Sequence, residues 1–153
     1  MPLKIEHRLG VQAPASVVWE QLVDLEKWGE WNPLYPRAKG VLRIGEPLEL
    51  DLALAGRPTT TIRPRVIDWV PDEQILWRLS LYGGLVQTTR YIEIEALSEA
   101  GCIFSNGEIF SGPLGPIGAG RLRKEIRAGF LAMGEAVKTR AEAAWRARSG
   151  APT

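Results

Sequence analysis

The chain has 153 residues, enough for one packed core and too few for two. Hydrophobic residues make up 45% and charged ones 24%, an ordinary globular balance that excludes disordered and low-complexity classes. A net charge of +1 offers no overall field for a nucleic-acid partner, and one cysteine and one histidine exclude an intramolecular disulfide, a Cys-x-x-Cys redox pair and a Cys/His zinc site.

The opening stretch carries Lys4, Glu6, His7 and Arg8 where an export signal needs an apolar run, so a cytoplasmic chain is expected. The least charged window, Cys102 to Gly120, is interrupted by glycines and prolines, and no membrane-spanning segment is expected. Residues 3 to 9 alternate, with Leu3, Ile5, His7 and Leu9 on one face, which predicts a half-buried strand. Pro14 suits a first helical turn, and Val18, Leu22 and Leu25 recur at helical spacing, giving a short helix broken near Asp24. A second short helix or turn follows, rich in aromatics (Trp28, Trp31, Tyr35) and ending at Pro33.

From Ala38 to Gly112 turn residues recur roughly every 10 to 15 positions with no helix-length run between them, predicting six strands in an antiparallel meander. Leu48, Leu50, Leu52 and Leu54 alternate with polar neighbours, as do Ile75, Trp77, Leu79 and Leu81, so each strand has one wet face and the sheet has one side to cover. The cover is the last third. Leu122, Ile126, Phe130, Met133, Val137, Ala141 and Trp145 form one stripe on a helix expected from about Arg121 to Arg148, roughly 40 Å long.

These residues, in this order, resemble the helix-grip superfamily (SRPBCC) of START lipid-transfer domains, polyketide cyclases and dehydrases, and the birch pollen allergen family. The resemblance covers nearly the whole chain, residues 1–153, as a single domain. It rests on Ala13-Pro14 before Val17-Val18-Trp19, Trp28-x-x-Trp31-Asn32-Pro33, Val66-x-x-Trp69-x-Pro71 with Leu76-Trp77, Arg90 to Ile94, and Phe110 to Leu114. It implies an α+β fold in which a curved seven-stranded antiparallel sheet wraps a long C-terminal helix, with two short helices after the first strand, around an apolar cavity. Fold does not transfer function, which has to be argued from the site.

Polar side chains in register with buried neighbours are the informative ones, because burying an unpaired polar group costs roughly 1 to 3 kcal/mol. His7, Arg90, Asn106 and Glu108 meet that condition, and as a cluster inside an apolar concavity they would orient a ligand. The alternative is that Arg90 pairs with Glu108, Asn106 bonds backbone and His7 is a satisfied core or rim histidine. His7 or Glu108 would also be the proton carriers of any catalytic reading. Trp28, Trp31, Tyr35, Trp69, Trp77 and Tyr82 are candidates to stack a flat ligand or to be core, and Phe130 and Met133 to form the opposite wall, with Trp77 and Phe110 facing the Phe130 ring. Cys102 reads as a small strand residue. Arg121, Arg123, Lys124 and Arg127 crowd the start of the long helix, against its dipole, and either meet an anionic group or are solvated.

No nucleophile or phosphate-binding motif accompanies these residues. The sequence therefore points to enclosure of a hydrophobic small molecule (a lipid, polyketide or aromatic metabolite), as carrier or sensor, without cofactor or metal. The alternatives are a cofactor-independent polyketide cyclase or dehydratase using the same cavity, and a co-chaperone-like protein-interaction module.

Overall fold

A computed structural model describes residues 2–150. The first strand, β1 (Leu3–Val11), leads into helix α1 (Ala15–Leu22), entered through Pro14 in extended conformation, and then a 3-10 turn at Leu25–Glu30. Seven further strands follow: β2 (Arg37–Gly40), β3 (Leu48–Leu52), β4 (Thr60–Ile62), β5 (Arg65–Val70), β6 (Gln74–Leu81), β7 (Val86–Ser98) and β8 (Gly101–Ser111). Two helices close the chain, α2 (Gly115–Arg121) and the 27-residue α3 (Arg123–Ser149), which ends on Gly150 in the left-handed conformation.

The strands run β1-β8-β7-β6-β5 in one antiparallel sheet and β2-β3-β4 in a second. The two meet at a corner where Gly45 N–H donates to Val66 O, Val66 N–H to Glu46 O and Leu48 N–H to Pro64 O. The total is eight strands among the described residues, where seven were expected, because the chain breaks between β4 and β5 at Pro64, which has no N–H to contribute to a ladder. Register shifts between Val66 and Asp68 and between Ala96 and Ser98 sharpen the sheet's twist and give it a concave face.

The expected helical stripe is the buried one: Ile126, Phe130, Met133, Val137 and Ala141 all lie in the core. Gly134 on the same face allows close approach to β1, since a Cβ there would lie 2.9 Å from Leu9 Cδ2. The helix starts later than expected. Leu122 leaves helical geometry (φ −106°, ψ 13°), so Arg121 ends α2 instead of opening α3. The helix α2 was not legible in Gly115-Pro116-Ile117-Gly118-Ala119-Gly120, because its local propensity is poor. It is held by Pro116 in its first turn and by burial of Gly115 and Ala119 against the sheet.

Candidate functional site: a cavity with one carboxylate

The concave face is a set of cross-strand rungs. In chain register Trp77, Arg90, Glu108 and Ile5 form one rung; Leu79, Thr88, Phe110 and Leu3 form the next toward one end; Ile75, Ile92, Asn106 and His7 the next toward the other. The rungs on the two sides of Arg90 and Glu108 have different fates.

On the His7 side the interior is solid. Arg90 is completely buried, and its five N–H donors all have acceptors: Nε donates to the Tyr35 hydroxyl at 2.9 Å, Nη1 to the carbonyls of Tyr91 and Gly107 at 2.8 and 3.2 Å, and Nη2 to Asn106 Oδ1 at 2.5 Å and Met133 Sδ at 3.5 Å. Its guanidinium carbon lies 4.4 Å from the centre of the Phe130 ring. Asn106 in turn donates from Nδ2 to the Phe130 carbonyl at 2.7 Å, which ties β8 to the middle of α3. Trp28, Tyr35 and Trp77 pack as one cluster with centroids 5.7 to 6.3 Å apart. The Asn32-Pro33 turn places Tyr35 there, because Asn32 Oδ1 accepts from the backbone N–H groups of Leu34 and Tyr35.

On the Phe110 side the sheet and helix diverge around a cavity of about 500 Å³ that opens at one end. Leu34, Leu52, Leu54 and Ile62 wall one flank; Leu79, Thr88, Glu108 and Phe110 form the sheet side; Ala119, Leu122, Ile126 and Phe130 form the helical side. Tyr82 and Arg57 stand at the mouth. Around it Leu81, Tyr82, Leu85, Leu114 and Ile117 are exposed, and Tyr82 holds a left-handed backbone (φ 54°) that costs a non-glycine residue energy. A second depression, about 420 Å³ on the outer face, is lined by Lys4, Glu6, Arg8, Glu73, Glu93 and Glu95, with Ile94 the one apolar member among the described residues.

Among the described residues Glu108 is the only carboxylate on the cavity wall. Burial pushes its pKa above the usual carboxylate range, and the Arg90 charge and the nearby Thr88 hydroxyl offset that only in part. It forms no ion pair with Arg90, although the two are cross-strand partners, because the guanidinium turns away toward Asn106. The expected alternative of an Arg90–Glu108 pair is thereby corrected. Thr88 Oγ1 is buried without a well-formed hydrogen bond.

Of the candidates read from the sequence, Tyr35, Glu108, Phe110 and Phe130 line this cavity, and Tyr82 guards its mouth. Arg90, Asn106, Met133, Trp28 and Trp77 lie behind the wall, in the packed network. His7 is half-buried against α3 near Gly134, and its Nδ1 is buried without a partner, so it is not the satisfied histidine of the alternative reading. Trp31 lies under Arg140, and Trp69 stacks on Trp19, both away from the cavity. The Phe130 ring faces Arg90 where Trp77 was expected, since Trp77 is committed to Trp28 and Tyr35. Cys102 is buried, and burial pushes its thiol up to about 11, an unreactive state. Arg121, Arg123, Lys124 and Arg127 are exposed and form no ion pair among the described residues.

Sequence reasoning missed Thr88 and the flank of Leu34, Leu54 and Ile62. Thr88 carried a signal, since it shares parity with Arg90, Ile92 and Ile94; the flank did not, because it comes from loops and a three-residue strand.

Residues 2–145 match the family model described as polyketide cyclase / dehydrase and lipid transport. The chain belongs to that family. No curated protein sequence matches it. Among solved structures it is similar to the ZhuI aromatase/cyclase from Streptomyces sp. R1128 (19% identity, all of both chains covered, TM-score 0.78). It is also similar to a START superfamily protein from Mycobacterium smegmatis (18%, 92% and 98% covered, TM-score 0.71) and to norcoclaurine synthase from Thalictrum flavum (16%, 91% and 86% covered, TM-score 0.68). At these identities the likeness carries the helix-grip fold. Among the described residues no helix is long and apolar enough to cross a membrane, and no cluster of three His, Cys, Asp or Glu side chains could hold a metal.

Proposed function

We propose that the protein encloses one hydrophobic small molecule, of the lipid, polyketide or aromatic class, as a carrier or sensor in the cytoplasm. The carrying observation is the cavity of about 500 Å³, within the usual range for small-molecule sites, walled by leucine, isoleucine and phenylalanine with few polar groups. The exposed apolar rim supports passage of an apolar molecule, because such side chains at a mouth lower the cost of moving it out of water. Native mass spectrometry of protein purified from its source tests this reading. A retained small molecule at one per chain is expected; loss of all retention together with no saturable one-to-one binding of an apolar dye to cooperatively folding protein overturns it.

One observation favours a second reading, a cofactor-independent cyclase or dehydratase. Glu108, with its raised pKa, is a proton carrier inside an apolar site. Turnover of a poly-carbonyl substrate that Glu108→Gln abolishes would establish it in place of the carrier role.

A further inference from the structure

The placement of the polar groups on the cavity wall says which end of a ligand enters first. Arg90 is the cation nearest the inner end, and an acidic ligand would be expected to seek it. It is sealed off: fully buried, behind the wall, with all five donors on Tyr35, Tyr91, Gly107, Asn106 and Met133. Two polar groups stand together on the sheet side of the cavity, Glu108 and Thr88: the Thr88 hydroxyl is buried without a well-formed hydrogen bond and is the one side-chain hydroxyl that acts on the Glu108 carboxyl, which keeps further hydrogen-bonding capacity toward the cavity. That pair is rich in acceptors and holds no fixed cation.

Resting on the cavity reading above, we infer that the inner end of the ligand is a hydrogen-bond donor, an alcohol or phenol hydroxyl, received by Glu108 and Thr88, and that ligands ending in a carboxylate are disfavoured. A hydroxyl satisfies both groups at once. A methyl group leaves that capacity unused in an apolar site, and a carboxylate meets no free cation there, since every Arg90 donor is already taken. Arg57, the exposed cation of the cavity, stands at the mouth and does not alter the inner end.

The test uses three probes with one ring system, 2-naphthol, 2-methylnaphthalene and 2-naphthoate, titrated at pH 7.5 and followed by fluorescence. In the native protein 2-naphthol is expected to bind about tenfold tighter than 2-methylnaphthalene, the worth of one buried hydrogen bond. Glu108→Met is expected to reduce that advantage below about threefold while 2-methylnaphthalene holds or gains affinity. Thr88→Val, a smaller change, is expected to reduce the advantage by at least about threefold, and it decides the matter if Glu108→Met does not fold. Equal binding of 2-naphthol and 2-methylnaphthalene, an advantage that survives the folded variants, or 2-naphthoate binding tighter than 2-naphthol overturns the inference while leaving the cavity reading intact. Failure of all three probes to bind overturns both.

Discussion

Arg90 and Glu108 stand opposite each other on neighbouring strands, are both ionisable, and both point to the concave face, yet they have opposite roles. Arg90 turns toward the packed end, where each donor meets an acceptor and the Phe130 ring covers its plane. Glu108 turns toward the open end, where only the Thr88 hydroxyl acts on it beside the Arg90 charge and burial raises its pKa. A buried polar group whose hydrogen bonds are all made inside the chain is part of the architecture; one whose capacity is left over is available to a ligand. The two ends of one sheet thus divide the labour of holding α3 and of making room beside it.

The strongest way to break this comparison is at Arg90. Arg90→Met removes a cation that satisfies Tyr35, Asn106 and two carbonyls, and should destabilise by about 3 to 5 kcal/mol in urea unfolding. Arg90→Lys should recover only part of that, because an ammonium has three donors and no plane to stack. A loss below about 1 kcal/mol in the Met variant would mean that the network is incidental.

Phe130 lies on the border, with its ring against Arg90 on one side and the cavity on the other. Phe130→Ala should therefore cost about 2 to 4 kcal/mol, at or below the full core value, and should also change apolar-dye affinity by enlarging the cavity. A stability loss with unchanged affinity would assign the residue wholly to the packed end; altered affinity with unchanged stability would assign it to the cavity.

The smallest effect is at Glu108 and depends on pH. An unfolded glutamate titrates near about 4.3, and in the folded protein burial raises that value. Between the two values the native state holds the extra proton, so wild-type stability falls relative to Glu108→Gln as pH rises from about 4, the isosteric variant having no proton to lose. Denaturant midpoints of both proteins across pH 4 to 8 check this. A constant difference would show that Glu108 is as well solvated as a surface carboxylate, and the contrast with Arg90 would lose its physical basis.

Much of the architecture was legible in the chain. The alternation of Leu3, Ile5, His7 and Leu9 and the steps of three and four from Ile126 to Ala141 are periodic signals of burial, and the faces they mark are the buried faces. They also place Arg90, Asn106 and Glu108 on the concave side, since strand parity alone assigns a face. Parity cannot say which way along the strand a long side chain leans. That direction sends Arg90 to Asn106 and leaves Glu108 to the cavity, and it is set by Tyr35, 55 residues from Arg90 in the chain, and by Met133, 43 residues away on α3. The break at Leu122, the helix formed by Gly115 to Arg121 and the leucine flank from Leu52 to Ile62 were likewise decided by tertiary packing, where weak local propensity yields to burial. Residue type and period determined which groups are buried; only contacts between distant segments decided which of those groups remain unpartnered, and so where a ligand can bind.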